Sequence, residues 1–130
     1  MFIQINFESD VPIYEQLKNQ IIIGIAKKEL APGDRLPSVR KLASDIGINL
    51  HTVNKAYKQL EEKGFLIIHR QKGVIINPDG PPQADETYTK TLKETLLPMI
   101  AELELRGIDK INLLSIINEI YEQLEVDRDE

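Results

Sequence analysis

The feature that most constrains the fold is a pair of short predicted helices separated by only a tight turn. Ser38 can cap a helix over 39–46, and Gly47 lets the chain turn sharply after it. Asn49 can then cap a helix over 50–63, which carries a second apolar stripe. Two helices joined by so short a turn are typical of a helix-turn-helix.

A predicted β-hairpin follows the second of these helices directly. Apolar residues that favour strands dominate the runs 65–69 and 74–76, and the turn between them is basic and ends in Gly73. A hairpin in this position is usually the wing of a winged helix-turn-helix. We therefore predict a mainly α-helical chain with one small β-hairpin, folded as a winged helix-turn-helix with further helices at both ends.

The helix that precedes this segment is predicted from residues recurring every four positions. Ile13, Leu17 and Ile21 form its apolar stripe, and Pro12 suits its first turn. Its cap is expected at residue 10 or 11.

Two amphipathic helices are predicted in the last third of the chain. Large apolar residues between Leu92 and Leu103 fall at helical spacing, and Asp109 can cap a second helix with its own apolar stripe. Pro98 lies inside the first pattern and predicts either a kink or a break into two helices. Because two such stripes are costly to leave in water, we expect a second copy of the chain to cover them.

A proline-rich joint separates the tail helices from the winged segment. The stretch 77–82 holds three prolines and a glycine, which neither a helix nor a central strand accommodates. We therefore predict a winged helix-turn-helix domain over 1–77, a linker over 78–83 and a helical dimerisation tail over 84–130.

The net charge of −5 is divided unevenly along the chain. Residues 1–78 hold eleven Lys and Arg against eight Asp and Glu, whereas residues 79–130 hold five against thirteen. Between 35 and 72 the basic residues number eight and the acidic residues three. Because a phosphate backbone meets the local charge, the winged segment is suited to double-stranded DNA although the whole chain is acidic.

Several other classes of protein are disfavoured by what the sequence lacks. Without cysteine the chain can form no disulfide and no thiolate metal site, which agrees with a reducing compartment. No signal peptide or membrane span is evident, so we expect a cytoplasmic protein without membrane contact. Neither His51 nor His69 belongs to a recognisable metal or nucleophile motif. We therefore predict no cofactor, no metal site and no enzymatic activity.

The residues that bind DNA are expected mainly at the N-terminal end of the helix over 50–63, because that part of the second helix enters the major groove. Polar side chains there can bond base edges or phosphates, and Leu50 can contact a thymine methyl group. The preceding helix and the wing supply cations for the backbone. The predicted DNA-binding residues are Arg40, Asn49, Leu50, His51, Thr52, Asn54, Lys55, Arg70, Lys72 and Gly73.

Several short motifs of this chain occur together in one known family. They are PIYEQL over 12–17, PGDRLPSVRKLA over 32–43 and EKG over 62–64. In this combination, over about residues 10–77, the chain resembles the N-terminal domain of the GntR family of bacterial transcription regulators. Its two-helix tail resembles the YtrA-like branch, which lacks the large effector-binding domains of other members.

The resemblance implies a homodimeric repressor on a palindromic operator, often one that controls a transporter operon together with the regulator's own gene. It implies dimerisation through the tail helices. The branch commonly has Pro and Asn where this chain has Leu50 and His51, so the operator bases do not follow from it. The family's DNA-contacting positions fall on Arg40, Asn49, Leu50, His51, Thr52, Asn54 and Gly73.

A winged helix used only for protein contacts is the alternative function. Such a domain has no reason to keep a basic surface on an acidic chain, and the steep salt dependence of DNA binding distinguishes the two functions. An unidentified small-molecule effector is a further candidate partner, although no set of residues singles out a pocket for it.

Overall fold

The computed structural model describes residues 3–126, which divide between Pro82 and Gln83 into two compact units. We call them the winged unit and the tail unit. Within the described residues the winged unit contains three helices and a small sheet, and the tail unit contains two helices. In chain order the elements are α1 (Ile13–Ala26), β1 (Arg35–Leu36), α2 (Val39–Ile46), α3 (Leu50–Glu62), β2 (Leu66–His69), β3 (Gly73–Ile76), α4 (Glu86–Leu105) and α5 (Lys110–Val126).

The helix-turn-helix lies where the sequence predicts it. The Ser38 hydroxyl accepts a hydrogen bond from the Lys41 N–H at 3.1 Å and caps α2. The side-chain oxygen of Asn49 accepts one from the His51 N–H at 2.7 Å and caps α3. Gly47 ends α2 in the left-handed conformation, with φ of 76°. The predicted fold class, a winged helix-turn-helix with tail helices, is confirmed.

The predicted hairpin belongs to a three-stranded antiparallel sheet with the order β1-β3-β2. In the hairpin, Leu66 pairs with Ile76 and His69 with Gly73. The additional strand β1 is only two residues long and places Arg35 opposite Ile75. It was not predicted because two residues are too few to show an alternating pattern. This strand attaches the segment before α2 to the wing, which we define as β2, β3 and their turn.

One hydrophobic core joins α1, α2, α3 and the sheet. Tyr57 is its largest fully buried side chain, and its hydroxyl donates a hydrogen bond to the Pro37 carbonyl at 2.8 Å. Burial raises the pKa of the Tyr57 phenol above its ordinary value. Because Pro37 lies just before α2, this bond links α3 to the start of the other helix of the pair.

The start of α1 differs from the prediction. Pro12 itself occupies the cap position, and no side chain there bonds a free backbone N–H, so the expected cap at residue 10 or 11 is wrong. The side chain of Gln16 instead binds the segment before α1, because its Nε2 donates to the Val11 carbonyl at 2.8 Å and to the Asn6 carbonyl at 3.0 Å.

The tail unit consists of two capped helices. Asp85 accepts a hydrogen bond from the Tyr88 N–H at 2.8 Å, and Asp109, as predicted, accepts one from the Asn112 N–H at 2.9 Å. The break considered at Pro98 does not occur, since α4 runs over 20 residues through that position. The helix is exposed there, so water can bond the carbonyl that lacks an N–H partner. Among the described residues, no helix has both the length and the apolar character needed to cross a bilayer.

Candidate nucleic-acid interface

Burial of one face of α3 determines which of its side chains are exposed. Val53 and Ala56 are completely buried in the core, as are Tyr57 and Leu60 further along the helix. The other side of the first turns is exposed, apart from Thr52, which is half-buried. We call residues 50–55 the reading end of α3. It brings together five predicted residues, which are Leu50, His51, Thr52, Asn54 and Lys55.

Asn49 lies directly before the reading end, and its side chain both caps α3 and can donate a hydrogen bond to an outside acceptor. Its oxygen accepts the hydrogen bond from the His51 N–H that caps α3. The side-chain amide N–H groups are the part that can still donate to an outside acceptor. Any contact that Asn49 makes with a base or a phosphate is therefore expected to be a donated hydrogen bond.

Lys55 is held by an aromatic ring that the sequence analysis did not include in the site. Its Nζ lies 3.8 Å from the centroid of the Tyr14 ring on α1. A cation in this position is attracted by the ring face, by about 0.5–1 kcal/mol at an exposed site. Tyr14 therefore restricts where the Lys55 ammonium lies at the edge of the reading end.

A buried lysine joins α1 to α3 behind the same ring. The Nζ of Lys18 donates to Gln59 Oε1 at 2.7 Å and to Glu15 Oε1 at 3.3 Å, and it lies 5.8 Å from the Tyr14 centroid. Its charge is thus compensated by a carboxylate and hydrogen bonds within the unit. We assign Lys18 to the fold rather than to an outside ligand.

Arg40 and Lys41 extend from the first turn of α2, and both are exposed. Lys41 Nζ forms an ion pair with Asp45 Oδ2 at 3.0 Å on the same helix. An exposed pair of this kind contributes at most about 1 kcal/mol, so Lys41 can exchange this partner for a phosphate. Arg40 is the predicted contact on this helix.

The turn of the wing and the start of α2 border one cleft. Arg35, Ser38, His69, Arg70 and Lys72 contribute to its lining, and we call these residues the wing cleft. Three of them are basic side chains without a carboxylate among the residues that line the cleft. A concave basic surface of this kind suits a phosphate group.

Arg35 and His69 were not among the predicted site residues. Arg35 enters the wing cleft because β1 pairs with β3, a long-range contact that no local pattern reveals. His69 is placed there by the register of the hairpin, opposite Gly73. Gly73 has a positive φ of 78°, and a Cβ built on it would meet no atom within 4 Å. Glycine is therefore required by the backbone conformation of the turn and not by crowding within the chain.

The described residues contain neither a metal-binding cluster nor a buried polar side-chain atom without a partner. No group of three or more His, Cys, Asp or Glu side chains among them could hold a metal ion. Every buried polar side-chain atom in the described part of the chain has a hydrogen-bond partner. The polar chemistry of the winged unit is concentrated on its exposed surface.

Comparisons with known proteins agree with this fold. Residues 13–76 match the family described as bacterial regulatory proteins, gntR family. The chain is 38% identical over 118 residues to the HTH-type transcriptional repressor YtrA of Bacillus subtilis (strain 168), covering 91% of each protein.

Two solved structures are similar over most of the chain. A transcriptional antiterminator from Listeria monocytogenes EGD-e has a TM-score of 0.85 at 30% identity, covering 95% of this chain and 92% of that one. YtrA from Sulfolobus acidocaldarius, a GntR-family transcription factor, has a TM-score of 0.62 at 40% identity, covering 76% and 97%. The first of these likenesses extends to the tail unit as well as the winged unit.

Proposed function

Because the chain belongs to the gntR family of bacterial regulatory proteins, we propose that it is a homodimeric transcriptional repressor that binds a two-fold symmetric DNA operator. Like the other members of its family and its relatives, it is a regulator and not an enzyme. The observation that carries the finer proposal is the exposed reading end of α3 on the same unit as the basic wing cleft.

The reading end of α3 is proposed to enter the major groove and to select bases. The side chain of Asn54 is exposed, and its amide can form hydrogen bonds with the edge of adenine. Thr52 can donate to a base or a phosphate, and the exposed Leu50 can contact a thymine methyl group. His51 and Lys55 add donors at the edges of this surface.

The backbone contacts are proposed to come from Arg40, Asn49 and the wing. Arg70 and Lys72 lie in the wing cleft with Arg35, and Gly73 allows the turn to approach the backbone closely. Contacts of this kind fix the register of a protein on the duplex, whereas contacts to base edges select the sequence. Each phosphate neutralised by a cation also makes the binding more sensitive to salt.

A second copy of the chain is proposed to cover the tail unit. No residue of α4 is buried, although apolar side chains recur along it at helical spacing. In α5 the described side chains are at most half-buried. Covering one large aliphatic side chain contributes about 1.5–3 kcal/mol, so two such helices strongly favour association. The exposed apolar residues are Tyr88, Leu92, Leu96, Leu97, Met99, Ile100, Leu105, Ile111, Leu114, Ile116, Ile120 and Tyr121.

Two copies joined in this way would present two reading ends related by a two-fold axis. Such dimers bind half-sites about one turn of DNA apart, at about 34–36 Å, or multiples of that distance. Occupancy of a promoter by the dimer would exclude polymerase. The resemblance to the YtrA-like branch further suggests that the regulated genes form a transporter-type operon and that the protein acts in the bacterial cytoplasm.

Selection of bound fragments from random duplex DNA tests this proposal directly. We expect the selected fragments to share an inverted repeat, and the affinity for it to fall steeply with salt, with a slope of about −0.9 per phosphate contact. An affinity that does not change with salt would favour the protein-contact function instead. Recovery of fragments without any common symmetry would contradict the dimeric operator.

A further inference from the structure

The chain leaves the sheet through a segment that is bound to the winged unit. Asn77 follows β3 directly, and its Nδ2 donates to the Gly64 carbonyl at 2.9 Å and to the Gly80 carbonyl at 3.1 Å. Its side-chain oxygen accepts from the Asp79 N–H at 3.1 Å. The Asn77 backbone N–H donates to the Phe65 carbonyl at 3.0 Å. Asn77 thus connects the end of α3 to the residues after the sheet, and we call 77–82 the exit segment.

The end of the exit segment lies against a glycine at the end of α3. A Cβ built on Gly64 would lie 3.0 Å from Pro82 Cδ and 3.3 Å from Pro81 Cα. Contacts this short are tighter than ordinary van der Waals packing, so only a residue without a side chain admits the two prolines unchanged. The exit segment is therefore held at both ends, by the Asn77 hydrogen bonds and by packing on Gly64.

This attachment leaves a very short free tether before the tail unit. Asp85 caps α4 through the Tyr88 N–H. Only Gln83 and Ala84 lie between Pro82 and that cap, and two residues span at most about 7 Å. If the exit segment were released, residues 78–84 would form the tether and would span at most about 25 Å.

We propose that Asn77, together with Gly64, makes the spacing between the two operator half-sites a feature that this protein recognises. The inference rests on the proposed function, in which the tail unit joins two copies and each winged unit binds one half-site. When a tether cannot span the distance between two sites, the effective concentration for the second contact falls to near zero. Each inserted base pair moves a half-site by about 3.4 Å and rotates it by about 34–36°. A tether of two residues therefore tolerates little change in spacing, and one of seven residues tolerates more.

The experiment uses the full chain and a series of duplexes derived from the selected operator, with one, two or five base pairs inserted between the half-sites. We expect the wild type to lose affinity by roughly 100-fold when two base pairs are inserted, the lower end of the gain that two linked contacts provide. The variant Asn77→Ala, which releases the exit segment, should lose less than about tenfold over the same change. Asn6→Ala is the matched control, because Asn6 is an exposed asparagine of the same unit and its side chain bonds the Glu8 N–H.

A second variant tests the same inference with the Asn77 hydrogen bonds intact. Insertion of Gly-Ser-Gly-Ser between Pro82 and Gln83 lengthens the tether alone, and we expect it to relax the spacing preference as Asn77→Ala does. Amide exchange at Gly80, whose N–H donates to the Asn77 carbonyl at 3.0 Å, reports on the exit segment without DNA. This exchange should be faster in Asn77→Ala and unchanged in the insertion variant.

The possible outcomes separate this inference from the proposed function. If the wild type binds a symmetric operator but the insertion variant keeps the same spacing profile, the inference is overturned and the proposed function stands. If the wild type binds duplexes of every spacing with equal affinity, the inference is likewise overturned and the proposed function stands. If the wild type selects no symmetric site at all, the proposed function fails, and the inference fails with it.

Discussion

The winged unit buries most of the apolar side chains of its helices, whereas the tail unit leaves most of its own exposed. In the winged unit Leu17, Val53 and Leu60 are completely inaccessible to solvent. In the tail unit Leu97 is 70% exposed and Leu105 89% exposed. A helix whose apolar stripe is covered by its own chain is stabilised within one copy. A helix whose apolar stripe is exposed gains this stabilisation only when another molecule covers it. The comparison agrees with the proposed function, in which DNA recognition is built within one copy and the exposed tail helices are covered by a second.

The two units also differ in charge. The basic residues from 35 to 72 lie in the winged unit, and twelve acidic residues follow Pro82. Under the proposed function, a DNA backbone attracts the first unit and repels the second, and this charge distribution would help to orient the protein on a duplex.

Removal of the tail unit should have the largest effect. A chain that ends at residue 83 should remain folded, because its core is complete, but it should be monomeric and bind the operator about 100- to 10,000-fold more weakly. Sedimentation and operator titration measure the two consequences. A dimer that persists without the tail would show that the winged unit also associates. The assignment of dimerisation to the tail unit would then be wrong.

Matched leucine substitutions compare burial in the two units. Leu60→Ala removes a fully buried side chain and should lower the free energy of unfolding by about 2–5 kcal/mol. Leu97→Ala, at a position of α4 that is exposed in a single copy, should change it by no more than about 0.5 kcal/mol in solutions dilute enough for the chain to be monomeric. Urea denaturation measures both. An equal loss in the two variants would mean that Leu97 is covered in the assembled protein, and would place that side of α4 in the dimer interface.

Substitutions of exposed residues compare the surfaces of the two units. Thr52→Ala should weaken operator binding by about 1–3 kcal/mol, the usual value of a base contact, with little effect on unfolding. Arg40→Ala, which removes a backbone contact, should weaken binding about equally for all sequences and reduce the steepness of the salt dependence by about one phosphate contact. Arg106→Ala is the control in the tail unit, where Arg106 pairs with Glu102 at 3.2 Å and both side chains are exposed. Fluorescence anisotropy with labelled operator measures all three. Operator affinities equal to the wild type in both winged-unit variants would contradict the assigned interface.

The smallest predicted effect concerns the ring that holds Lys55. Tyr14→Leu should weaken operator binding by about 0.5–1 kcal/mol, because the Lys55 ammonium loses the aromatic face 3.8 Å away. Tyr14→Phe keeps the ring and should bind almost as the wild type does. A deficit of the same size in both variants, measured by the same titration, would point to the phenol hydroxyl instead.

The elements predicted with success are those fixed by local rules. Ser38 and Asn49 cap their helices as expected, and the bounds of α2 agree with the prediction, because capping and helical periodicity depend on neighbours in the sequence. Of the two outcomes expected at Pro98, a kink or a break, the break does not occur, because an exposed helix tolerates the lost hydrogen bond. β1 was missed because a strand of two residues is defined only by its partner.

The candidate site follows the same division. The exposed residues of α3 could be predicted from the apolar stripe on its other face, and the structure places them together. The Tyr14 ring beside Lys55 and the position of Arg35 in the wing cleft could not be predicted, because each depends on a long-range contact between elements. Which of the ten predicted residues touch DNA stays a prediction.

The buried phenol of Tyr57 gives this protein a built-in sensitivity to alkali. Burial raises its pKa, so the folded winged unit holds the phenolic proton at pH values where an unfolded chain releases it. The stabilisation is complete below the ordinary phenol pKa of about 10 and is lost as the pH rises beyond it. The chain has no tryptophan and four tyrosines, so the ultraviolet absorbance of phenolate can be followed without interference. One of the four rings should ionise only as the winged unit opens, which makes that absorbance a label-free reporter of its unfolding.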